Sequence, residues 1–210
     1  MRRLVLGLLA LSCVAAAATF DRIAIVVQDA IIKDSDIDRN VRVTDFLNGT
    51  PVVLNPASRR EVAQRMIDQT FIRNEVLTGD YPSATQKQID TRISELRKHR
   101  GDAVFDAELK RDGLIEEDVR EVLEWEITVL DFIDARFKPA AFVTEDEVAA
   151  YYKEHQSELK RQYPRKTGMD ELSAEITNLL QGEKVNKLFF DWLDQQRKNG
   201  KIEYREAYLK

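Results

Sequence analysis

Strand-forming sequence occurs at two places in this chain, and they lie near its opposite ends. Residues 22–27 (RIAIVV) are rich in β-branched side chains and too short for an independent helix. After the polar break Gln28-Asp29, residues 30–33 resume the apolar run, which is the pattern of a small β-hairpin. The second place is residues 201–205 (KIEYR), which alternate behind Gly200. A lone hairpin is marginal in water, and an isolated strand has no ladder. The two segments therefore satisfy each other, the ends meet, and what lies between folds as one interleaved, mainly α domain. With 8 Gly and 5 Pro in 210 residues, turn-dense all-β architectures are excluded. No internal repeat is visible.

Between the strands the apolar pattern is helical. Asp34-Ser35-Asp36 supplies acceptors for a helix start, and a helix over about 35–47 ends at Asn48-Gly49. Residues 58–78 carry Val62, Met66, Phe71 and Leu77 at helical spacing, and Gly79 stops them. Ser83 or Thr85 caps the next helix, which ends at Gly101, and a short one around Phe105 and Leu109 ends at Gly113. Residues 115–137 are apolar over more than half their circumference, so two neighbours are expected to bury them; Pro139 ends the run. Thr144 and Glu147 have capping-box spacing for a short helix to about His155. Residues 156–168 are polar, carry Pro164 and read as a linker. A last long helix spans 170–199. Trp125 and Trp192 fall on apolar stripes and read as core, while Arg59-Arg60 and Lys110-Arg111 read as solvated faces.

The amino terminus reads as an address. Arg2-Arg3, the apolar run Leu4 to Val14, and Ala15-Ala16-Ala17-Ala18 make a secretory signal peptide over residues 1–18, cleaved after Ala18 or Ala17. The expected location is periplasmic. Lipidation at Cys13 is disfavoured, because Ala10 stands where such signals carry Leu. Removing residues 1–18 takes away the single cysteine and moves the net charge from −5 to −7. The mature domain, 19–210, is then held together without disulfides. Its acidity argues against nucleic acid as a partner.

No catalytic constellation is legible. Thiol chemistry is absent downstream of Cys13, no serine sits in a nucleophile elbow, and no glycine loop cradles phosphate. His99 and His155 each end a helix, where the dipole favours a cation. Glu116-Glu117-Asp118 and Glu145-Asp146-Glu147 occupy first turns, where negative charge is favoured without any metal. No enzyme activity, cofactor or metal is expected.

Residues 23–32 (IAIVVQDAII) followed by Asp34-Ser35-Asp36-Ile37-Asp38 resemble the opening of SurA-type periplasmic chaperones. The register of Arg65-Met66-Ile67-Asp68-Gln69-Thr70-Phe71-Ile72 is close to that family's next helix. Residues 190–197 (FDWLDQQR) with Lys201-Ile202-Glu203-Tyr204 are similar to the end of SurA- and PpiC-type foldases. The resemblance covers essentially the whole mature chain. Members of the family usually insert a parvulin-type prolyl isomerase domain where this chain has only residues 156–168, so isomerase activity is not implied. What the resemblance implies is an interleaved SurA-like helical domain. It would act as an ATP-independent chaperone for unfolded outer-membrane proteins, with no membrane span after cleavage. The rival expectation is a structural scaffold that binds one dedicated partner or itself, for which a domain-swapped homodimer is conceivable. Around the missing insert stand Phe132, Phe137, Phe142, Tyr151, Tyr152 and Tyr163. They either line a groove for extended client segments or pack on the terminal helix.

Overall fold

The computed structural model describes residues 21–166 and 168–209. The segment read as a signal peptide, with Cys13, lies outside the described residues. The chain runs β1 (Ile23–Val27), β2 (Ala30–Lys33), α1 (Asp34–Asn48), α2 (Pro56–Thr78), α3 (Gln86–Arg100) and α4 (Asp102–Asp112). It continues with α5 (Glu116–Phe137), α6 (Glu145–Glu154), α7 (Gln156–Gln162), α8 (Met169–Asn199) and β3 (Ile202–Tyr204). The fold is mainly α with one small sheet of strand order β2-β1-β3, both pairings antiparallel. Val26 stands opposite Ile31 on one side and Glu203 on the other. The β1–β3 ladder is extended at both ends, where the Gln28 amide donates to the Lys201 carbonyl and the Arg205 amide to Ala24, each at 2.8 Å. The two ends of the fold thus meet, as their unpaired backbone groups require.

Local chemistry sets the helix ends. The Asp36 carboxylate accepts from the Lys33 amide at 3.1 Å, and Asn55 accepts from Ser58 at 2.9 Å ahead of Pro56. Thr85, not Ser83, caps α3, with Gln88 closing the box. Thr144 and Glu147 do the same for α6. Gly49 ends α1 at φ 67, a left-handed conformation that costs glycine little.

Three clusters of buried side chains follow. The first joins the sheet to α1, α2, the second half of α5 and the C-terminal half of α8 through Ile25, Ile67, Phe71, Phe132 and Leu193. The second lies between α1, α3, α4 and the first half of α5, where Phe46 and Phe105 meet edge to face at 5.3 Å. As an apolar surface over more than half its circumference demands, α5 serves both. The third is distal, formed by Val148, Leu159, Leu172 and Ile176 from α6, α7 and the N-terminal half of α8. Its 31 residues make α8 about 46 Å long, so it reaches from the third cluster to the first.

Two expectations need correction. Residues 156–168 are not a plain linker, since 156–162 form α7 and bury Leu159. A single apolar residue in a polar stretch gives no period to read, and the helix exists because its neighbours bury that one side chain. Nor is Arg59-Arg60 a simple solvated face, whereas Lys110-Arg111 is exposed as expected. Arg59 holds Asp38 by two hydrogen bonds of 2.7 and 2.8 Å, and Arg111 holds Asp112 by two of 2.8 Å. The Arg59 guanidinium also lies 5.6 Å from the Tyr208 ring, whose hydroxyl donates to Asp34 at 2.6 Å. This group fastens the C-terminal turn onto the starts of α1 and α2. Both tryptophans are half-buried against the first cluster.

Candidate functional site

The six aromatic residues do not form one surface. Phe132 is fully buried and Phe137 nearly so, which corrects their assignment to a groove. Their rings pack edge to face at 5.8 Å, and both lie within 6 Å of Trp192. Tyr81 meets Phe132 at 4.9 Å, and Arg136 donates to the Tyr81 hydroxyl while pairing with Glu75. An aromatic knot closed by a paired guanidinium is framework rather than binding surface. Phe142, by contrast, is 74% exposed. Its backbone is held at the joint between α6 and α8, where Lys184 Nζ donates to the Phe142 carbonyl at 2.6 Å and to Glu147 at 2.7 Å.

Tyr151, Tyr152 and Tyr163 belong to the distal cluster and are half-buried. Tyr151 stacks on His155 at 4.0 Å, and His155 Nδ1 lies 3.1 Å from the Tyr151 carbonyl. His155 therefore helps end α6, which accounts for it structurally. Tyr152 instead faces a concavity of about 230 Å³ on the lobe, with Leu159, Pro164 and Leu172 alongside and Lys160 and Lys166 lining it too.

A larger groove, about 450 Å³, runs between the end of α2 and the middle of α5. Trp125, Val76 and Leu77 are its apolar lining, and Arg73, Ser83, Glu121, Glu124 and Thr128 its polar lining. Leu77 is 76% exposed, and the Arg73 guanidinium lies over the Trp125 ring at 4.5 Å. Sequence periodicity placed Trp125 in the core. The available signal was Val76-Leu77 standing at the last turn of a helix, immediately before Thr78-Gly79-Asp80, where little chain remains to cover them.

Lys166 holds the Glu175 carboxyl below the usual range, and Lys184 does the same for Glu147. Burial, reinforced by Glu183, Glu158 and Glu154, pushes the Tyr151 phenol up. All three shifts move titration away from neutral pH. Two of the first-turn carboxylates of α5 are in structural use: Glu116 pairs with Arg97 at 2.6 Å and Arg120 at 3.0 Å, and Asp118 accepts from the Ile115 amide at 2.8 Å. Among the described residues no group of three or more His, Cys, Asp and Glu side chains is placed to hold a metal ion. None of the described helices is long and apolar enough to cross a membrane.

Comparison of the chain with protein-family models and with curated protein sequences finds no match.

Proposed function

We propose that this chain is a periplasmic, ATP-independent holdase of SurA type that binds unfolded outer-membrane proteins and does not isomerise prolyl bonds. The observation that carries the reading is the Trp125–Leu77 groove, where Leu77, 76% exposed, leaves apolar surface open among polar side chains. Exposed apolar surface rimmed by polar groups suits protein contact. A groove lined by both exposed apolar and charged side chains suits a polypeptide segment. Between α6 and α8 the chain has only α7 and a turn, so the position where the resembled family carries an isomerase holds no domain. Release follows from modest affinity, with no nucleotide step required.

The test is to dilute an unfolded outer-membrane β-barrel into buffer with residues 19–210 and follow light scattering without ATP. Near-stoichiometric protein suppresses aggregation, and Leu77→Gln weakens the suppression without changing the melting temperature. Unhindered aggregation of several different clients would replace this reading with the scaffold that binds one partner or itself.

A further inference from the structure

One segment of the distal lobe differs from the chain as a whole in its charge. Residues 160–166 (KRQYPRK) hold four cations and no carboxylate, in a chain of net charge −5. Among the described residues Lys166 pairs with Glu175, whereas no ion pair joins Lys160, Arg161 or Arg165 to a carboxylate. The Arg161 Nε donates to the Ser157 carbonyl, which positions it without neutralising it. Two of these cations, Lys160 and Lys166, line the 230 Å³ concavity, whose lining includes no acidic side chain. The Trp125 groove, by contrast, carries Glu121 and Glu124, and the surface around Tyr151 on the same lobe carries Glu158 and Glu175.

Size and lining limit the occupant. The concavity is smaller than the roughly 300–1,000 Å³ of small-molecule sites, and it matches one large apolar side chain with its adjoining backbone. Leu159 and Leu172, both buried, form an apolar floor, and Tyr152 and Pro164 form walls. A lipid headgroup or free phosphate would use the cations and leave that floor idle. A basic or neutral apolar segment would use the floor and leave Lys160 unpaired. We infer that this concavity binds acidic–apolar polypeptide segments, seating an apolar side chain over Leu159 and Leu172 while Lys160 and its neighbours pair with flanking carboxylates. The inference rests on the holdase reading and gives it a charge preference. It also divides the surface, with the Trp125 groove serving apolar segments of other charge.

The experiment measures fluorescence anisotropy with a labelled peptide carrying one phenylalanine between aspartates. Two matched peptides have lysine in place of aspartate, or serine in place of phenylalanine. An exposed ion pair is worth up to about fivefold in affinity, so with several cations engaged the acidic–apolar peptide should bind about tenfold tighter than the lysine peptide. Salt should erase much of the difference as the screening length shortens from about 10 Å at 0.1 M. Lys160→Glu should weaken the acidic–apolar peptide about tenfold and Lys160→Gln about half as much on a logarithmic scale. Both should keep the melting temperature, since Lys160 is exposed and unpaired. Equal binding of the acidic and lysine peptides overturns the inference, as does unchanged binding by Lys160→Glu. So does tighter, Lys160-dependent binding to phosphatidylglycerol vesicles than to the acidic–apolar peptide, which would make the lobe a membrane contact. Light scattering on the same variants separates the two readings. If wild type suppresses aggregation but shows no charge preference, only this site fails. If it binds the acidic–apolar peptide but suppresses nothing, the holdase reading fails.

Discussion

Gly200→Ala and Gly182→Ala add the same methyl group to one helix, and the surroundings give the two changes opposite signs. At Gly200, which ends α8 with φ −82 and ψ 145, an added Cβ would stand 2.4 Å from Phe71 Cε1, 2.5 Å from Cζ and 2.9 Å from the Gln196 carbonyl oxygen. Ordinary contact begins near 3.4 Å. Phe71 is 2% exposed in the first core, so its ring has no free volume to swing into, and the turn into β3 must lift away from α2. Overpacking of this kind costs about 1–3 kcal/mol. At Gly182, in mid-helix, nothing lies within 4 Å of the added Cβ, and alanine gains about 0.5–1 kcal/mol of helix propensity. In a protein of this size each kcal/mol moves the melting temperature by about 2–4 °C. Gly200→Ala should therefore lower it by about 2–12 °C and Gly182→Ala raise it by about 1–4 °C, followed by far-ultraviolet circular dichroism. Phe71→Leu removes the ring edge that the methyl group meets, so the Gly200→Ala penalty should shrink in that background. An undiminished penalty there, or no penalty in the native background, would refute the steric reasoning.

Phe132→Ala, which removes a fully buried ring in contact with Tyr81, Phe137 and Trp192, should cost about 3–5 kcal/mol. Phe142→Ala should stay within about 0.5 kcal/mol, and urea midpoints would separate the two. Burial, then the hydrogen bond to Asp34, pushes the Tyr208 phenol above its usual value. Its stabilisation is complete below the unfolded value of about 10 and is lost as pH rises through the folded one. Alkaline titration of phenolate absorbance should show Tyr208 ionising together with unfolding. Tyr208→Phe should remove that component at a cost of about 1 kcal/mol near neutrality, and an unaltered alkaline profile in the variant would count against the clasp. At the other end of the scale, Arg97 first and Arg120 second hold the Glu116 carboxyl below 4.5. That stabilisation is present above the unfolded value and disappears as pH falls through the folded one. Glu116→Gln should accordingly flatten the loss of melting temperature between about pH 4.5 and 3.

Most of the framework was legible because it is written in local chemistry. Asn48-Gly49, Gly79, Gly101, Gly113 and Gly200 stop helices where the apolar period breaks, and the capping box at Thr144 and Glu147 fixes its own start. The sheet was legible for a different reason, since its strands had no other partner to pair with. What escaped depends on distance in space. Phe132 and Phe137 look available from sequence because α5 is apolar over more than half its circumference, and only the approach of α8 with Trp192 and Phe189 buries them. Trp125 looks buried because it lies on a stripe, and only the termination of α2 at Thr78 leaves its groove open. Helix α7 has one buried apolar residue, Leu159, and no pattern can be drawn through one point.

The long terminal helix explains why apolar surface is left over. Ile176 and Val185 are nine residues apart, about two and a half turns, so they leave α8 from opposite sides. The N-terminal half therefore turns one face to the distal lobe, and the C-terminal half turns the opposite face to the sheet and α2. Gly182 lies in the stretch where the buried face changes over, at a point where neither sterics nor a left-handed backbone calls for glycine. Each half consequently has a bare flank, which is where Leu179 and Phe190 stand exposed. The lobe built on the N-terminal half spans residues 145–180, and units below about 40 residues rarely hold a fold alone without disulfides or metals. Its order depends on α8 being fixed at the far end, where Arg197 holds Asp68 of α2 with two hydrogen bonds and β3 joins β1. A lobe supported from outside can leave Leu179 and the cations Lys160, Arg161 and Arg165 exposed, because its stability does not require them to be buried.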